Sequence, residues 1–196
     1  MTRTLMAGVA ALALLSACSR SEEAQESATR AVDATQDAAS GAVGQTSAAT
    51  LGANTTEGFV TALATSDMYE VQAADIALSK SVSAGTTELA NMIKRDHTAS
   101  TDRLKTIAPT EAAGVTLPTA LDQRRQGLID NLNAAAPADF ERIYLSQQVA
   151  AHNEALTLLS GFSDRSGTPQ LAALAQEIIP KVTAHRDRAQ ALLDAM

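Results

Sequence analysis

The sequence of 196 residues contains one cysteine and no tryptophan, and aromatic residues make up only 3% of it. A single cysteine cannot form a disulfide within the chain. The shortage of aromatic residues and the abundance of alanine suit closely packed helices and suit strands badly. We therefore expect an all-α protein.

Clusters of basic residues are also missing. Lysine and arginine together number 15, against 22 aspartate and glutamate residues, which gives a formal net charge of −7. The short basic pairs Lys94-Arg95 and Arg124-Arg125 are typical of solvated helix faces. Because contacts to phosphates require clustered Lys and Arg, this acidic balance argues against a nucleic-acid partner.

The short motifs of common enzymes are absent as well. The sequence has no glycine-rich phosphate loop, no serine in a strand-to-helix nucleophile elbow and no pair of cysteines spaced to bind a metal. No complete catalytic motif is therefore found, and any chemistry must rest on His, Glu, Asp and Tyr side chains.

Residues 1–17 have the pattern of a secretory signal peptide. Arg3 supplies a positive end, and the apolar stretch from Leu5 to Leu15 is too short to span a bilayer. The run Leu15-Ser16-Ala17-Cys18 resembles the acylation site of bacterial lipoproteins, and Ser19 resembles the sorting signal for the outer membrane. This resemblance implies that Cys18 carries a lipid anchor and that the protein is an outer-membrane lipoprotein facing the periplasm.

Residues 19–52 contain almost no large apolar side chains apart from Val32, Val43 and Leu51. Such a segment cannot bury enough apolar surface to fold alone. Residues 18–52 are therefore predicted to form the lipidated cysteine and a flexible Ala/Ser/Thr-rich tether with a reach of about 30 Å. Transient helix over residues 22–39 is the alternative, and the folded domain is predicted to span residues 53–196.

Apolar residues recur at three- and four-residue steps from Asn54 onward, as in amphipathic helices. The pattern predicts four long helices and one shorter helix, over residues 54–81, 83–109, 121–135, 140–159 and 169–192. Pro109 and Pro137 are predicted to end the second and the shorter helix, and Gly167-Thr168-Pro169 to supply a stop, an N-cap and an N1 proline. Two antiparallel hairpins joined by a crossover that contains the shorter helix have the connectivity of a ferritin-like four-helix bundle.

The three histidines of the chain fall on three different long helices, and Glu70 lies on the fourth. At ~1.5 Å per residue, Glu70 and His97 would lie about 16 and 20 Å from their turn, and His152 and His185 about 18 and 24 Å from theirs. Each of the four also belongs to the apolar stripe of its helix. These side chains are therefore predicted to converge in one layer of the core.

Two interpretations of this layer remain open. In the first, three imidazoles and the Glu70 carboxylate bind a single transition-metal ion such as Zn, Fe or Cu. Four neighbouring residues are predicted to orient these ligands without binding the ion themselves, namely Asp96, Tyr144, Gln148 and Glu154. In the second, the histidines are hydrogen-bonded core residues that fix helix register in a non-catalytic structural or protein-interaction module of the envelope.

Several segments around these residues resemble the bacterial family called domain of unknown function 4142. They are Ser66 to Glu70, Met92 to His97, Tyr144 to His152, and Ile179-Pro180 with His185. The resemblance covers about residues 54–194. The family is regarded as ferritin-like and is often found behind lipoprotein signals, so the resemblance implies the four-helix fold and an envelope location, and no established reaction.

One feature of ferritin-like di-iron sites is missing from the sequence. Such sites use a Glu-x-x-His pair on two helices. Three residues before His97 stands Lys94, and three residues before His185 stands Val182. The absence of both glutamates argues against ferroxidase or oxygenase chemistry and favours a mononuclear site or none.

Overall fold

The computed structural model describes the backbone of residues 10–196, and the side chains from Ala24 onward apart from Glu26 and Leu51. Residues 1–9 of the predicted signal peptide and the side chain of Cys18 lie outside the described residues. Over residues 10–196 the chain is helical and has no strand, which confirms the all-α class. The elements are α1 (Ala10–Ser47), a π-helical turn (Ala48–Gly52), α2 (Thr56–Ser79), α3 (Ala84–Glu111), α4 (Gln123–Ala134), α5 (Pro137–Phe162) and α6 (Pro169–Asp194).

The chain divides into two units, residues 1–36 and Asp37–Met196. The described part of the first unit is helical, and its Val32 side chain is exposed. The second unit contains the rest of α1 and all later elements. Among the described helices, none combines the length and the hydropathy that a membrane span requires.

The predicted tether over residues 18–52 is corrected by the structure, because residues 37–52 are helical and belong to the compact second unit. Ser40 and Ala48 are buried there. Glycines let this segment lie close to the other helices: a Cβ added at Gly52 would come within 2.6 Å of the Leu158 side chain. A pattern search for large apolar residues does not detect this kind of packing, so the predicted start at residue 53 is too late.

The four long helices of the second unit, α2, α3, α5 and α6, pack side by side. The short turn over residues 80–83 makes α2 and α3 an antiparallel hairpin, and the turn over residues 163–168 does the same for α5 and α6. Further contacts join α3 to α6 and α2 to α5, while α4 in the crossover packs on α2 and α5. Every long helix therefore contacts two other long helices.

Two helix ends differ from the predictions. Pro109 does not end α3, which continues to Glu111. A proline this near the end of a helix removes one hydrogen bond without preventing the last turn. Pro137 begins α5 as its first residue instead of ending α4, which stops at Ala134.

The start of α6 shows why the continuation of α3 past Pro109 matters. Pro169 is the first residue of α6 as predicted, but the side chain of Thr168 makes no capping hydrogen bond. The Glu111 carboxylate accepts hydrogen bonds from the backbone N–H groups of Gln170 and Leu171, both at 2.8 Å. An acidic group at a helix N-terminus is favourable, so the end of one hairpin caps the last helix of the other.

The core of the second unit has two apolar clusters. One contains Phe59 and Phe162, whose rings stack with centroids 3.9 Å apart. The other contains Ile93, Phe140 and Leu145. Between the two clusters, each of the four long helices carries buried polar residues, namely Asp67, Glu70, His97, Ser100, Gln148, His152 and His185. The polar layer therefore lies across the middle of the bundle.

Candidate metal centre

His97 on α3, His152 on α5 and His185 on α6 meet in this layer. All three side chains are buried, and their ring centroids lie 5.6, 5.7 and 5.3 Å apart. One nitrogen from each ring lies within 4.8 Å of the other two. The structure thus brings together the three histidines that were predicted, from their distances to the hairpin turns, to lie in one layer.

Each histidine uses one ring nitrogen for a hydrogen bond to an oxygen that can only accept. These bonds join His97 Nδ1 to Asp67 Oδ1 at 2.7 Å, His152 Nδ1 to the Gln148 carbonyl at 2.9 Å, and His185 Nε2 to Asp96 Oδ2 at 3.0 Å. A neutral imidazole has a single N–H group, which must be donated to the oxygen in each case. The second nitrogen of every neutral ring is therefore a free lone pair.

These lone pairs point toward one another. His97 Nε2 is buried and makes no hydrogen bond, and His152 Nε2 lies 3.2 Å from His185 Nδ1. Lone pairs that face each other in a dry interior are costly without a cation or proton between them. Two nitrogens bound at 2.0–2.1 Å to one tetrahedral ion lie about 3.3 Å apart. The His152–His185 pair matches this spacing, and three imidazole nitrogens are a donor set that suits a single transition-metal ion.

The surroundings set the charge of these rings differently. Burial lowers the pKa of His185 to about 4, and it lowers the pKa of His152 well below the usual histidine value. Burial also disfavours charge on His97, but its hydrogen bond to Asp67 and the Asp67 charge raise the pKa of His97 above the usual value. His152 and His185 are therefore held in the neutral form that binds a metal ion, while the Asp67 charge makes a proton a stronger competitor for the lone pair of His97.

Glu70, the predicted fourth ligand, does not join the three converging nitrogens. Its Oε1 lies 3.5 Å from Nδ1 of His152, the nitrogen that already faces the Gln148 carbonyl. Its Oε2 is buried and makes no hydrogen bond. Burial raises the pKa of Glu70 to about 7. The carboxylate therefore lies behind His152, on the side away from the converging nitrogens.

The four residues predicted to support the ligands have different positions. Asp96 accepts the hydrogen bond from His185, and its other partner is Arg95. Gln148 supports His152 through its backbone carbonyl. Tyr144 is buried beside Phe140, and its hydroxyl makes no hydrogen bond, so it does not hold a histidine.

Glu154 is not part of the layer, and its predicted role is corrected. Its Oε1 accepts from Arg124 at 2.8 Å and from Arg125 at 2.5 Å. Two residues along a helix rotate the side chain by roughly 200°, which places Glu154 on the opposite face of α5 from His152. The two arginines are correspondingly paired groups, and they do not form a free basic surface.

Asp67 is the site residue that the sequence pattern did not reveal. It is fully buried, and besides His97 it accepts a hydrogen bond from Thr101 Oγ1 at 3.3 Å. Asp67 lies three residues before Glu70, which puts both acids on one face of α2. Paired acidic residues at this spacing inside an apolar stripe are the signal that could have identified it.

Together these features define an all-helical domain with a buried three-histidine centre. The sequence from residue 40 to residue 192 matches a family model described as Domain of unknown function (DUF4142). The chain therefore belongs to this family, which confirms the resemblance found from its motifs. The match begins near the observed start of the compact unit.

A solved structure supports the same fold. The structure titled CopM in the Cu(II)-bound form has a TM-score of 0.62 and 20% sequence identity to this chain. The alignment covers 71% of this chain and 95% of that chain. A search of curated protein sequences gives no match. At this level of identity, the likeness to CopM shows a shared helical fold.

Proposed function

We propose that this protein binds one transition-metal ion through His97, His152 and His185. The observation that carries the proposal is the set of outward hydrogen bonds, which leaves three lone pairs converging in a buried space. A purely structural histidine layer would have its nitrogens paired within the protein. Here the His97 Nε2 atom is buried without any hydrogen bond.

Copper is the first ion to test, and zinc and iron are the others that suit these ligands. Imidazole nitrogens suit all three ions, and the affinity of a given site is highest for Cu(II) in the divalent series. The structure of CopM carries Cu(II) on a related helical fold. Carboxylate and carbonyl groups behind metal-bound histidines fix the tautomer and strengthen the ligand, which is the role proposed for Asp67, Asp96 and the Gln148 carbonyl.

We also infer a setting for this site. The hairpin connectivity supports a ferritin-like arrangement of the four long helices. The pattern of residues 1–18 supports export and a lipid anchor on Cys18, which would hold the domain at the outer membrane on the periplasmic side. Mass spectrometry of the N-terminal peptide tests the anchor, because Cys18→Ser should remove the acyl mass and release the protein from the membrane fraction.

Metal analysis of the full chain, purified in detergent and loaded with Cu(II), tests the metal site. We expect one ion per chain, and we expect loading to fail in the combined variant with alanine at the three histidines. Tyr69→Phe is a matched control because it changes a buried polar group outside the histidine cluster. Substoichiometric loading, or equal loading of the histidine variant and the control, would overturn the proposal.

A further inference from the structure

One side of the histidine cluster opens toward the surface. A pocket of about 30 Å³ lies between α3 and α6 and is lined at its inner end by His97 and His185. This volume is enough for one or two water molecules. At the outer end of the pocket stand Arg103, Glu177 and Lys181. The pocket would therefore give a small molecule access from the surface to the proposed metal site.

The side chains at the outer end are weakly held. Glu177 lies 3.3 Å from Arg103 and 3.4 Å from Lys181, and all three side chains are more than 40% exposed. Exposed ion pairs of this kind contribute little, and they rearrange easily. They do not close the pocket firmly.

Ser100 lines the pocket one helical turn after His97. It is only 6% exposed, and its Oγ atom is buried without a hydrogen bond. A helical hydroxyl can bond to the carbonyl four residues earlier, as Thr98 does with Lys94. Since Ser100 does not do so, its donor is left free beside the histidine cluster.

The histidines supply three donors, whereas a tetrahedral ion takes four. Glu70 lies behind His152, so it does not complete the set. Three protein ligands with one open position are the arrangement in which a metal binds water or an exogenous ligand. Two of the three histidines, His97 and His185, line the pocket together with the free hydroxyl of Ser100.

We propose that the pocket holds a small exogenous ligand, water or a small anion, on the fourth position of the bound ion, and that the Ser100 hydroxyl donates a hydrogen bond to it. This inference rests on the proposed metal site. In such a site one coordination position of the ion is filled by a ligand that exchanges with solvent. In a closed site, protein side chains would fill every coordination position.

Azide binding to the full chain loaded with Cu(II) tests the inference. Azide on a copper ion gives a charge-transfer absorption, so its dissociation constant can be measured after the copper content has been determined separately. We expect one azide per copper and a dissociation constant about tenfold higher in Ser100→Ala, because a hydrogen bond to a charged group is lost. Ser100→Val, which fills the pocket, should weaken azide further while copper content stays at one per chain.

The control is Ser146→Ala, which removes an exposed hydroxyl from α5. It should leave both copper content and azide affinity unchanged, and circular dichroism checks that every variant is folded. Copper-loaded protein that gives no azide absorption would overturn the open position while leaving the metal site standing. Azide affinity that is the same in both Ser100 variants and in the control would overturn the role of the pocket. Failure to load copper at all would instead overturn the metal site on which the inference rests.

Discussion

Tyr69 and Glu70 are neighbours in the sequence, but they belong to two different buried polar networks. The Tyr69 hydroxyl donates to Gln147 Oε1 at 2.9 Å, and Gln147 Nε2 donates to Asp37 Oδ2 at 2.7 Å. Asn131 donates to the second oxygen of Asp37 at 2.8 Å. This first network ties α1, α2, α4 and α5 together, and the side-chain atoms that link it are hydrogen-bonded.

The second network, around Glu70 and the histidines, is incomplete. Glu70 Oε2 and His97 Nε2 are buried without hydrogen bonds, and His152 and His185 face each other with lone pairs. Both networks lie inside the same helical domain, so burial alone does not distinguish them. The two networks differ in whether the protein itself satisfies their buried polar atoms, and the unsatisfied network is the one that we propose binds an ion.

The largest expected effect comes from removing one of the histidines that we propose bind the ion. His152→Ala should weaken Cu(II) binding roughly a hundredfold to a thousandfold, because structural metal sites carry about 10–16 kcal/mol shared among about four ligands. Gln147→Ala removes a member of the first network and should leave the affinity unchanged. A competition titration with a copper chelator measures the copper affinity of both variants. Equal losses of affinity in the two variants would show that the two networks do not differ in copper binding.

Glu70→Gln should change how the stability of the metal-free protein depends on pH. The pKa of Glu70 is raised to about 7 in the folded protein, so ionising it destabilises the folded state as pH rises. The variant and the parent should be similar below about pH 4.5. Between about pH 4.5 and 7 the variant should gain stability over the parent, by on the order of 3 kcal/mol. Urea unfolding across this range measures the difference.

The exposed Glu57 provides the control for that series. Glu57→Gln should show no comparable gain in stability, because an exposed carboxylate is not desolvated on folding. A Glu70→Gln curve that also tracks the parent would mean that the buried carboxylate is satisfied after all.

A smaller effect is expected from Asp67→Asn, which keeps the shape of the side chain and removes its charge. Partners behind metal-bound histidines typically affect metal affinity 10–100-fold, so Cu(II) binding should weaken by roughly that factor. The same chelator titration measures the change. Wild-type affinity in this variant would show that the His97 ring is oriented by packing alone.

The smallest effect is expected in the first network. Tyr69→Phe removes one hydrogen bond to Gln147 and should lower the free energy of unfolding by about 1 kcal/mol. Copper affinity should not change, because the histidine ligands are intact. If Tyr69→Phe weakens copper binding as much as Asp67→Asn does, the two networks act as one unit.

The helices and the meeting of the histidines could both be predicted from the sequence. Apolar residues at helical spacing gave the all-α class, and the distances of His97, His152 and His185 from their turns placed them at one level. The boundary at residue 53 was wrong because Gly52 and its small neighbours pack by close approach, which leaves no apolar pattern. The predicted role of Glu154 was wrong because Glu154 lies two residues after His152, and side chains two residues apart point to opposite faces of a helix.

By itself, the sequence determined which residues can reach the core layer, because helical periodicity and rise per residue depend only on local backbone geometry. It also determined the family, through motifs spread over four helices. Only the tertiary structure decided that Asp67 supports His97, that Glu70 lies behind His152, and that three lone pairs converge. Those features depend on side-chain directions and on hydrogen bonds between helices distant in the chain, which no local pattern specifies.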